Sequence, residues 1–309
     1  MRPALAALAC LLIAGSARGA GDFATKVLAW DGAGGVIGYN ATPGNALGPP
    51  STAATPGVPD NSSLFSFGWG GYLTLGFDHP ISDDPRHPGG YDFIVFGNSL
   101  YLGGDETSPH REPGYVEVGV DSTGQHSYGD GSKVVWYWLK GTPAPNSIAG
   151  FPIPLPSADS TVVGYADCTP TDGAGDPTYP DDPFTPGITP GSAGGDAFDL
   201  AWAVDASGAP AHLASVDFVR ITCAVNVVIP PYGRLSTEVD AVSLAAPVVS
   251  GDVDGDGHVT IADAALTARA AAGLITLSER QQRLADLTQH GGIPTTGDVA
   301  LILKRSAGL

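Results

Sequence analysis

The stretch Tyr115-Val116-Glu117-Val118-Gly119-Val120 alternates strictly between valine and other residues. A period of two is typical of a β-strand with one buried face, because successive side chains point to opposite sides of the sheet. The pattern predicts that the valines face a core and that Glu117 faces outward. Comparable short runs occur on both sides, at Tyr72–Phe77, Tyr91–Phe96, Val134–Leu139, Ala197–Val204, Val216–Cys223 and Val239–Leu244.

Turn-forming residues separate these runs, since the 309-residue chain contains 43 Gly and 27 Pro. Seven or more short strands divided by turns predict a mainly-β fold, a jelly-roll-like β-sandwich, over residues 21–246. Hydrophobic residues make up 43% of the chain, which is ample for a buried core and argues against wholesale disorder.

The first 19 residues have the pattern of a secretory signal peptide. Arg2 precedes a short apolar run, Ala4–Ala14, and small residues stand at Ala17 and Gly19. The apolar run is too short to span a bilayer. We therefore predict an exported protein, secreted or at the cell surface.

The chain is strongly acidic, with a formal net charge of −18 at pH 7. Nucleic acids and anionic membrane surfaces attract basic proteins, so neither is an expected partner. Cys168 and Cys223 remain once the signal peptide, which contains Cys10, is removed. Export predicts a disulfide between them, and two buried thiols are the alternative.

The strongest motif follows a short linker, 247–250. From Asp252, oxygen-bearing side chains fall at positions one, three, five, nine and twelve of a twelve-residue loop, and Gly257 stands at the sharp turn at position six. This spacing is that of an EF-hand-like calcium loop. The predicted ligands are Asp252, Asp254, Asp256, His258 through its backbone carbonyl, Thr260 and Asp263.

A weaker copy of this loop lies further on. Asp286 can start it, with Thr288 and His290 at positions three and five, but the closing acid comes one residue late, at Asp298. Imidazole is a poor ligand for a hard cation. We expect weak calcium binding there or none. Helices are predicted after both loops and between them.

Residues 251–309 resemble a type I dockerin, a duplicated calcium-loop and helix module in which Asp commonly closes the loop, as Asp263 does here. The resemblance implies a small α-helical module with two related halves and calcium-dependent docking onto a cohesin domain of another protein. Loop positions ten and eleven help to select the cohesin in that family. Those positions are Ile261 and Ala262 in the first copy and Thr295 and Thr296 in the second, with ordinary loop surface as the alternative.

The N-terminal region resembles a family of uncharacterised exported bacterial surface proteins. The residues that carry this resemblance are Gly71–Asp78, Tyr91–Asn98, Glu112–Val118, Gly195–Leu200, Asp217–Ile221 and Glu238–Val242. The family implies no settled activity. The layout is also similar to β-sandwich carbohydrate-binding modules, which often hold a structural calcium.

Several acidic or polar residues stand at or beside predicted strands, where a carboxylate is costly unless it is paired or binds a cation. We hypothesise a structural calcium bound by some of Asp92, Asn98, Asp196, Asp199, Glu238 and Asp240. Strand-end acids in water or hydrogen-bonded to turn amides are the alternative.

Signals for catalysis are poor. The sequence has no Gly-x-Ser-x-Gly elbow, no His-Glu-x-x-His zinc motif and no phosphate loop. Paired carboxylates for glycoside hydrolysis stay open, and His110-Arg111-Glu112 is interpreted as loop surface rather than a polar site. Among candidates for sugar stacking, Trp136 and Trp138 are expected on the core face and Tyr137 outward.

These observations predict a secreted, non-catalytic protein. Its C-terminal module would bind calcium and dock to a cohesin-type partner, and so display a β-sandwich of unknown ligand. The alternative is an enzyme or a carbohydrate-binding accessory module of polysaccharide catabolism. Incubation of the protein with a panel of polysaccharides would separate hydrolysis, retention without hydrolysis, and neither.

Overall fold

A computed structural model describes residues 22–84, 87, 90–139, 164–173, 183–184, 192–226, 228–229, 233–245, 250–254, 259–277, 279–288 and 293–309. The predicted signal peptide lies outside the described residues, as do Asp256, His258 and His290 of the predicted calcium loops. The domain division into 21–246, 247–250 and 251–309 stays a prediction.

The described part of the chain is mainly β in its first 245 residues and helical at its end. The strands are β1 (Lys26–Asp31), β2 (Phe65–Phe67), β3 (Tyr72–Ser82), β4 (Phe93–Phe96), β5 (Leu100–Tyr101), β6 (Pro109–His110), β7 (Gly114–Asp121), β8 (Val134–Leu139), β9 (Tyr165–Ala166), β10 (Asp196–Phe198), β11 (Ala203–Val204), β12 (Ser215–Cys223), β13 (Val228–Ile229), β14 (Gly233–Arg234), β15 (Thr237–Val239) and β16 (Ala241–Leu244). The helices are α1 (Ile261–Ala271), α2 (Glu279–Ala285) and α3 (Thr296–Ser306).

Two antiparallel sheets account for the long strands. The larger sheet has the order β1-β3-β12-β7-β8-β11, with β9 also pairing with β7, and the smaller sheet has the order β10-β4-β16. Strands β15 and β2 form a separate pair. The chain passes repeatedly from one sheet to the other, because β3, β7 and β12 belong to the larger sheet and β4, β10 and β16 to the smaller one.

One hydrophobic core joins the two sheets. Leu75, Val118 and Val219 of the larger sheet are fully buried in the same cluster as Phe93 and Val95 of the smaller sheet. Burial of each such side chain contributes about 1.5–3 kcal/mol relative to exposure. The predicted mainly-β fold with a helical C-terminal region is therefore confirmed.

Strand β7 behaves as its alternation predicts, but β8 does not. Val116 and Val118 are buried, and Glu117 lies on the opposite face, where it accepts two hydrogen bonds from Arg220 of β12. In β8, Tyr137 packs against the core, while Trp138 is 38% exposed. The predicted facing of Trp136, Tyr137 and Trp138 is wrong.

The antiparallel register explains why the tryptophans face outward. Tyr137 pairs with inward-facing Val118, and Trp136 pairs with Gly119. A Cβ on Gly119 would lie 2.9 Å from the indole of Trp136, so the glycine makes room for that ring on the outer face. The Arg220 guanidinium covers the same ring at 3.9 Å from its centroid.

The predicted disulfide is also wrong, because Cys168 and Cys223 are free buried thiols. Cys223 pairs with Gly114 on one side of β7, and Ala166 of β9 pairs with Gly114 on the other side. Two strand spacings amount to about 10 Å, which exceeds the reach of a disulfide between residues flanking β7. Each thiol instead donates to a nearby carbonyl oxygen, of Ala166 and Val225 respectively.

The C-terminal helices have a core of their own. Val253, Ala264, Ala270, Leu277 and Ile302 form a buried cluster separate from that of the sheets. Gly273, with φ +69°, follows the end of α1, where a left-handed glycine commonly ends a helix. None of the helices in the described part of the chain combines the length and apolar character needed to cross a bilayer.

Candidate metal centre

Three carboxylates of the first predicted calcium loop converge at the start of α1. Asp252, Asp254 and Asp263 each offer an oxygen, and these oxygens all lie within 4.8 Å of one another. Asp252 and Asp263 are buried, and Asp254 is half-buried. This group could hold a metal ion, and an all-oxygen set suits a hard cation such as calcium.

Asp263 also closes the loop by accepting hydrogen bonds. Its Oδ1 accepts from the backbone N–H groups of Val253 (2.7 Å) and Asp254 (2.9 Å). Its Oδ2 accepts from the backbone N–H (2.7 Å) and hydroxyl (3.2 Å) of Thr260. The Thr260 hydroxyl accepts in turn from the N–H of Ala262, which completes a capping box. Asp263 is therefore a helix cap as well as a candidate cation ligand.

The second copy is closed in the same way. Asp298 Oδ1 accepts from the N–H and hydroxyl of Thr288, both at 2.8 Å, and Oδ2 accepts from the N–H (2.8 Å) and hydroxyl (2.9 Å) of Thr295. Burial alone would raise the pKa of Asp298, but these hydrogen bonds outweigh it and hold the pKa at about 2.

These contacts correct the register of the second loop. Asp263 accepts hydrogen bonds from the amide of Val253, ten residues before it, and from Thr260, three residues before it. Asp298 accepts from Thr288 and Thr295, which stand at the same two distances along the chain. Asp298 is therefore in register, and Asp286 stands one residue too early. Leu287 occupies the position that Asp252 has in the first copy.

The second copy consequently lacks the first carboxylate of the loop. Among the described residues, the second copy has no group of three converging carboxylates such as Asp252, Asp254 and Asp263 form in the first copy. The structure brings Thr288 and Asp298 together, as the sequence predicts, but in a hydrogen-bonded closure of the loop. The four predicted partner-binding residues surround the N-termini of α1 and α3: Ile261 is 73% exposed, Thr295 and Thr296 are exposed, and Ala262 is half-buried.

The six residues hypothesised to bind calcium in the sandwich are distributed over several places. Asp92 and Asp199 stay together and are joined by Asp83, which sequence reasoning missed, in a second group with oxygens within 4.8 Å. Asp92 is buried and accepts from the N–H groups of Asp84 (3.0 Å) and Leu200 (2.8 Å). Burial, followed by the nearby Asp92 charge, raises the pKa of Asp83.

Asn98 and Glu238 belong to a different site, the carboxylate cluster of Glu112, Asp167 and Glu238. Asn98 donates from its side chain to Glu238 Oε2 at 2.7 Å. The fully buried Asp167 carboxylate accepts from the N–H groups of Asn98 (2.8 Å), Ser99 (2.8 Å) and Glu238 (2.9 Å). These bonds join two loops and strand β15, which are far apart in sequence.

The backbone around Asp167 is shaped for this role. Asp167 has φ +58°, a left-handed conformation that is uncommon outside glycine. A Cβ on Gly97 would lie 2.5 Å from Asp167 Oδ1, so the loop after β4 requires glycine there. Neither feature is visible in the sequence, where Asp167 stands among ordinary loop residues.

The remaining two acids, Asp196 and Asp240, belong to neither of these groups. Asp196 accepts from the N–H of Cys168 at 2.8 Å, and burial raises its pKa to about 7, despite the opposing charge of Arg111. Asp240 accepts from the N–H of Ser51 at 2.6 Å, and burial raises its pKa to about 7. The six residues therefore do not form one calcium centre.

The outer face of the larger sheet carries a group of aromatic side chains, here called the aromatic face: Tyr115, Trp136, Trp138 and Tyr165. The rings of Tyr115 and Trp138 meet edge to face at 5.7 Å, and those of Tyr115 and Tyr165 lie 5.9 Å apart. The ion pair of Glu117 and Arg220 borders these rings, and its two opposite charges cancel.

Comparison of the chain with protein-family models and with curated proteins finds no match. The dockerin-like and surface-protein-like resemblances therefore rest on the residues quoted for them above. What the structure adds is a β-sheet protein whose helical end carries an acidic group that could hold a metal ion.

Glu112→Gln should make the free energy of unfolding less dependent on pH. Burial, with a contribution from the Glu238 charge, raises the pKa of Glu112 from 4.5 to about 8 in the folded protein. The folded state thus holds this proton more tightly than the unfolded chain. The contribution of this group to the free energy of unfolding is fully present below the pKa that Glu112 has in the unfolded chain. It is lost as the pH rises through the folded-state pKa of about 8.

Urea unfolding between about pH 5 and about pH 8 measures this dependence. Glu106→Gln, which removes an exposed carboxylate from the same region, is the matched control. An identical pH dependence in Glu112→Gln and the unmodified protein would show that Glu112 is ionised throughout.

Asp298→Ala should destabilise the helical region equally with calcium and with chelator. The change removes the acceptor of four hydrogen bonds that close the second loop and cap α3. Loss of a helix cap costs about 0.5–2 kcal/mol. Circular dichroism during urea unfolding measures it, with exposed Thr296→Ala as control. A loss confined to calcium-containing buffer would instead make Asp298 a cation ligand.

Proposed function

We propose that the C-terminal region binds one calcium ion through the first loop and uses it for docking to another protein. The observation that supports calcium binding is the convergence of Asp252, Asp254 and Asp263, with oxygens within 4.8 Å of one another. Thr260 lies beside Asp263, and Asp256 and the backbone carbonyl of His258 complete the ligand set by their loop positions.

The proposed partner is a cohesin-type domain, and the docking surface includes Ile261 and Ala262. In the corrected register of the second copy the equivalent residues are Thr296 and Gly297, because Thr295 corresponds to the capping residue Thr260. An isoleucine that is 73% exposed on a helix N-terminus suits burial in an interface better than contact with water. In this proposal the protein is exported, is not an enzyme and displays its β-sandwich on the partner. Calcium acts by fixing the loop before α1, which orients Ile261.

Asp254→Ala should weaken calcium binding by about tenfold or more, since affinity in such loops depends on the number of charged ligands. Isothermal titration of the full chain with calcium gives the affinity and the stoichiometry. Asp286→Ala is the matched control, because Asp286 is an acid of similar burial placed out of register in the second copy. Equal losses in both variants would contradict a single first-loop site.

The docking step needs a separate measurement. Immobilised cohesin domains should retain the full chain in calcium and release it in chelator, and Ile261→Asp should abolish retention while calcium affinity is kept. Arg269→Ala, an exposed change further along α1, should leave retention unchanged. Retention that survives the chelator would contradict calcium-dependent docking.

A second candidate function is the binding of a neutral polysaccharide by the aromatic face. The observation that favours it is the outward placement of Trp138, with Tyr115 and Tyr165 beside it. Aromatic rings with polar neighbours offer both an apolar surface and hydrogen bonds to a sugar ring. The strong negative charge of the chain disfavours acidic glycans.

Trp138→Ala should reduce the retention of the protein on insoluble neutral polysaccharides, by about tenfold in affinity, because it removes the most exposed ring of the aromatic face. Trp30→Ala is the control, since Trp30 is 44% exposed but packs edge to face on Phe65. Soluble sugar released from these polysaccharides would indicate hydrolysis instead of binding. If the unmodified protein were not retained on any of them, binding of those polysaccharides would be excluded.

A further inference from the structure

The carboxylate of Asp240 has one oxygen without a partner. Asp240 lies between β15 and β16 and is only 2% exposed. Its Oδ2 accepts from the N–H of Ser51 at 2.6 Å, whereas Oδ1 is buried and has no hydrogen-bond partner among the described residues. A buried carboxylate oxygen left unpaired destabilises the folded state, so its occurrence requires a compensating group.

A second carboxylate approaches Asp240 through the same serine. The Ser51 hydroxyl donates to Asp60 Oδ2 at 2.5 Å, and the N–H of Ser62 donates to Asp60 Oδ1 at 2.9 Å. Ser51 therefore holds Asp60 with its side chain and Asp240 with its backbone. Among the described residues, neither acid forms an ion pair with a basic side chain.

The electrostatics of the two acids differ in a way that favours a positive charge between them. Hydrogen bonds from Ser51 and Ser62 lower the pKa of Asp60, which keeps it ionised. Burial and then the Asp60 charge raise the pKa of Asp240 to about 7, against the hydrogen bond from Ser51. A bound cation would remove the repulsion and supply the missing partner of Oδ1.

We propose that Asp60 and Asp240 bind a hard divalent cation, with Asp240 Oδ1 as the buried ligand. Two carboxylates neutralise its charge, and hydroxyl, carbonyl or water oxygens complete the coordination shell. Asp60 is half-buried, so the cation can enter from the surface. This narrows the hypothesis of a sandwich calcium to Asp240 and adds Asp60, which sequence reasoning did not select.

The bound cation would have a structural role. Residues 51–60 form an irregular segment between β1 and β2. Asp240 connects β15 to β16, and the residues on either side of it, Val239 and Ala241, are buried in the core. A cation shared by Asp60 and Asp240 would fasten that segment to the strand connection. The site is distinct from the first calcium loop and from the group of Asp83, Asp92 and Asp199.

The test uses the full chain carrying Asp254→Ala, so that the C-terminal loop contributes little. Its melting temperature is compared in chelator, in calcium and in magnesium. We expect one of the two cations to raise the melting temperature by about 5–10 °C at a concentration about 100-fold above its dissociation constant. Asp60→Asn and Asp240→Asn should each abolish that shift.

Asp199→Asn is the matched control, because it disables the neighbouring acidic group and should leave the shift in place. Asp60→Asn decides the matter if Asp240→Asn does not fold, since Asp60 is nearer the surface. The proposal is overturned if neither cation raises the melting temperature, or if the shift survives in Asp60→Asn. It is also overturned if only Asp199→Asn removes the shift.

Discussion

The hydrogen bond from a backbone amide to a carboxylate is the interaction on which several loops in the described part of this protein depend. Asp167 joins its own loop to the loop after β4 and to strand β15 in this way, and Asp263 and Asp298 each close the loop that precedes a helix. Asp121 accepts from three amides of the turn after β7 and has a pKa of about 2 because of those bonds. Most of the acids that stand near strands are therefore part of the framework, which is why their abundance says little about catalysis.

The two C-terminal loops show how a cation site can be added to such a framework. Asp263 and Asp298 make equivalent bonds to Thr260 and Thr295, so the closed loop does not itself require a metal ion. The difference lies upstream, where the first copy has Asp252 and the second has Leu287. In the first copy the carboxylates repel one another, and a cation relieves that repulsion. In the second copy the Thr288 hydroxyl supplies a hydrogen bond to Asp298. Among the described residues, the group that could hold a cation is thus confined to one half of the repeat.

Periodicity in the sequence was sufficient for the fold class and for the faces of β7, since burial of Val116 and Val118 follows from alternation alone. It was insufficient for β8, because both faces of that strand carry large apolar residues. The choice between the faces depends on Gly119 of β7 and on Arg220 of β12, one strand further along the sheet. The disulfide prediction failed for a similar reason: spacing along the chain does not reveal that β7 lies between the strands near the two cysteines.

The register of the second loop was misassigned by counting from Asp286, whereas the helix cap at Asp298 is the part that both copies share. Glu112 was interpreted as loop surface, and its half-buried position near the Glu238 charge arises only from the packing of distant segments.

The acids that accept few hydrogen bonds differ chemically from those that accept many. Asp298 accepts four hydrogen bonds and stays ionised, whereas Glu112 and Asp240 each accept one from a backbone amide, and burial raises their pKa values to about 8 and about 7. A carboxyl group in the second class is stabilised either by a proton or by a cation, and the two compete for the same oxygen. Cation affinity at such a site must therefore fall as the pH is lowered through its pKa, whereas a fully hydrogen-bonded acid such as Asp298 is indifferent over the same range. The under-bonded acids are therefore the ones through which the stability of this protein would respond to pH and to divalent cations.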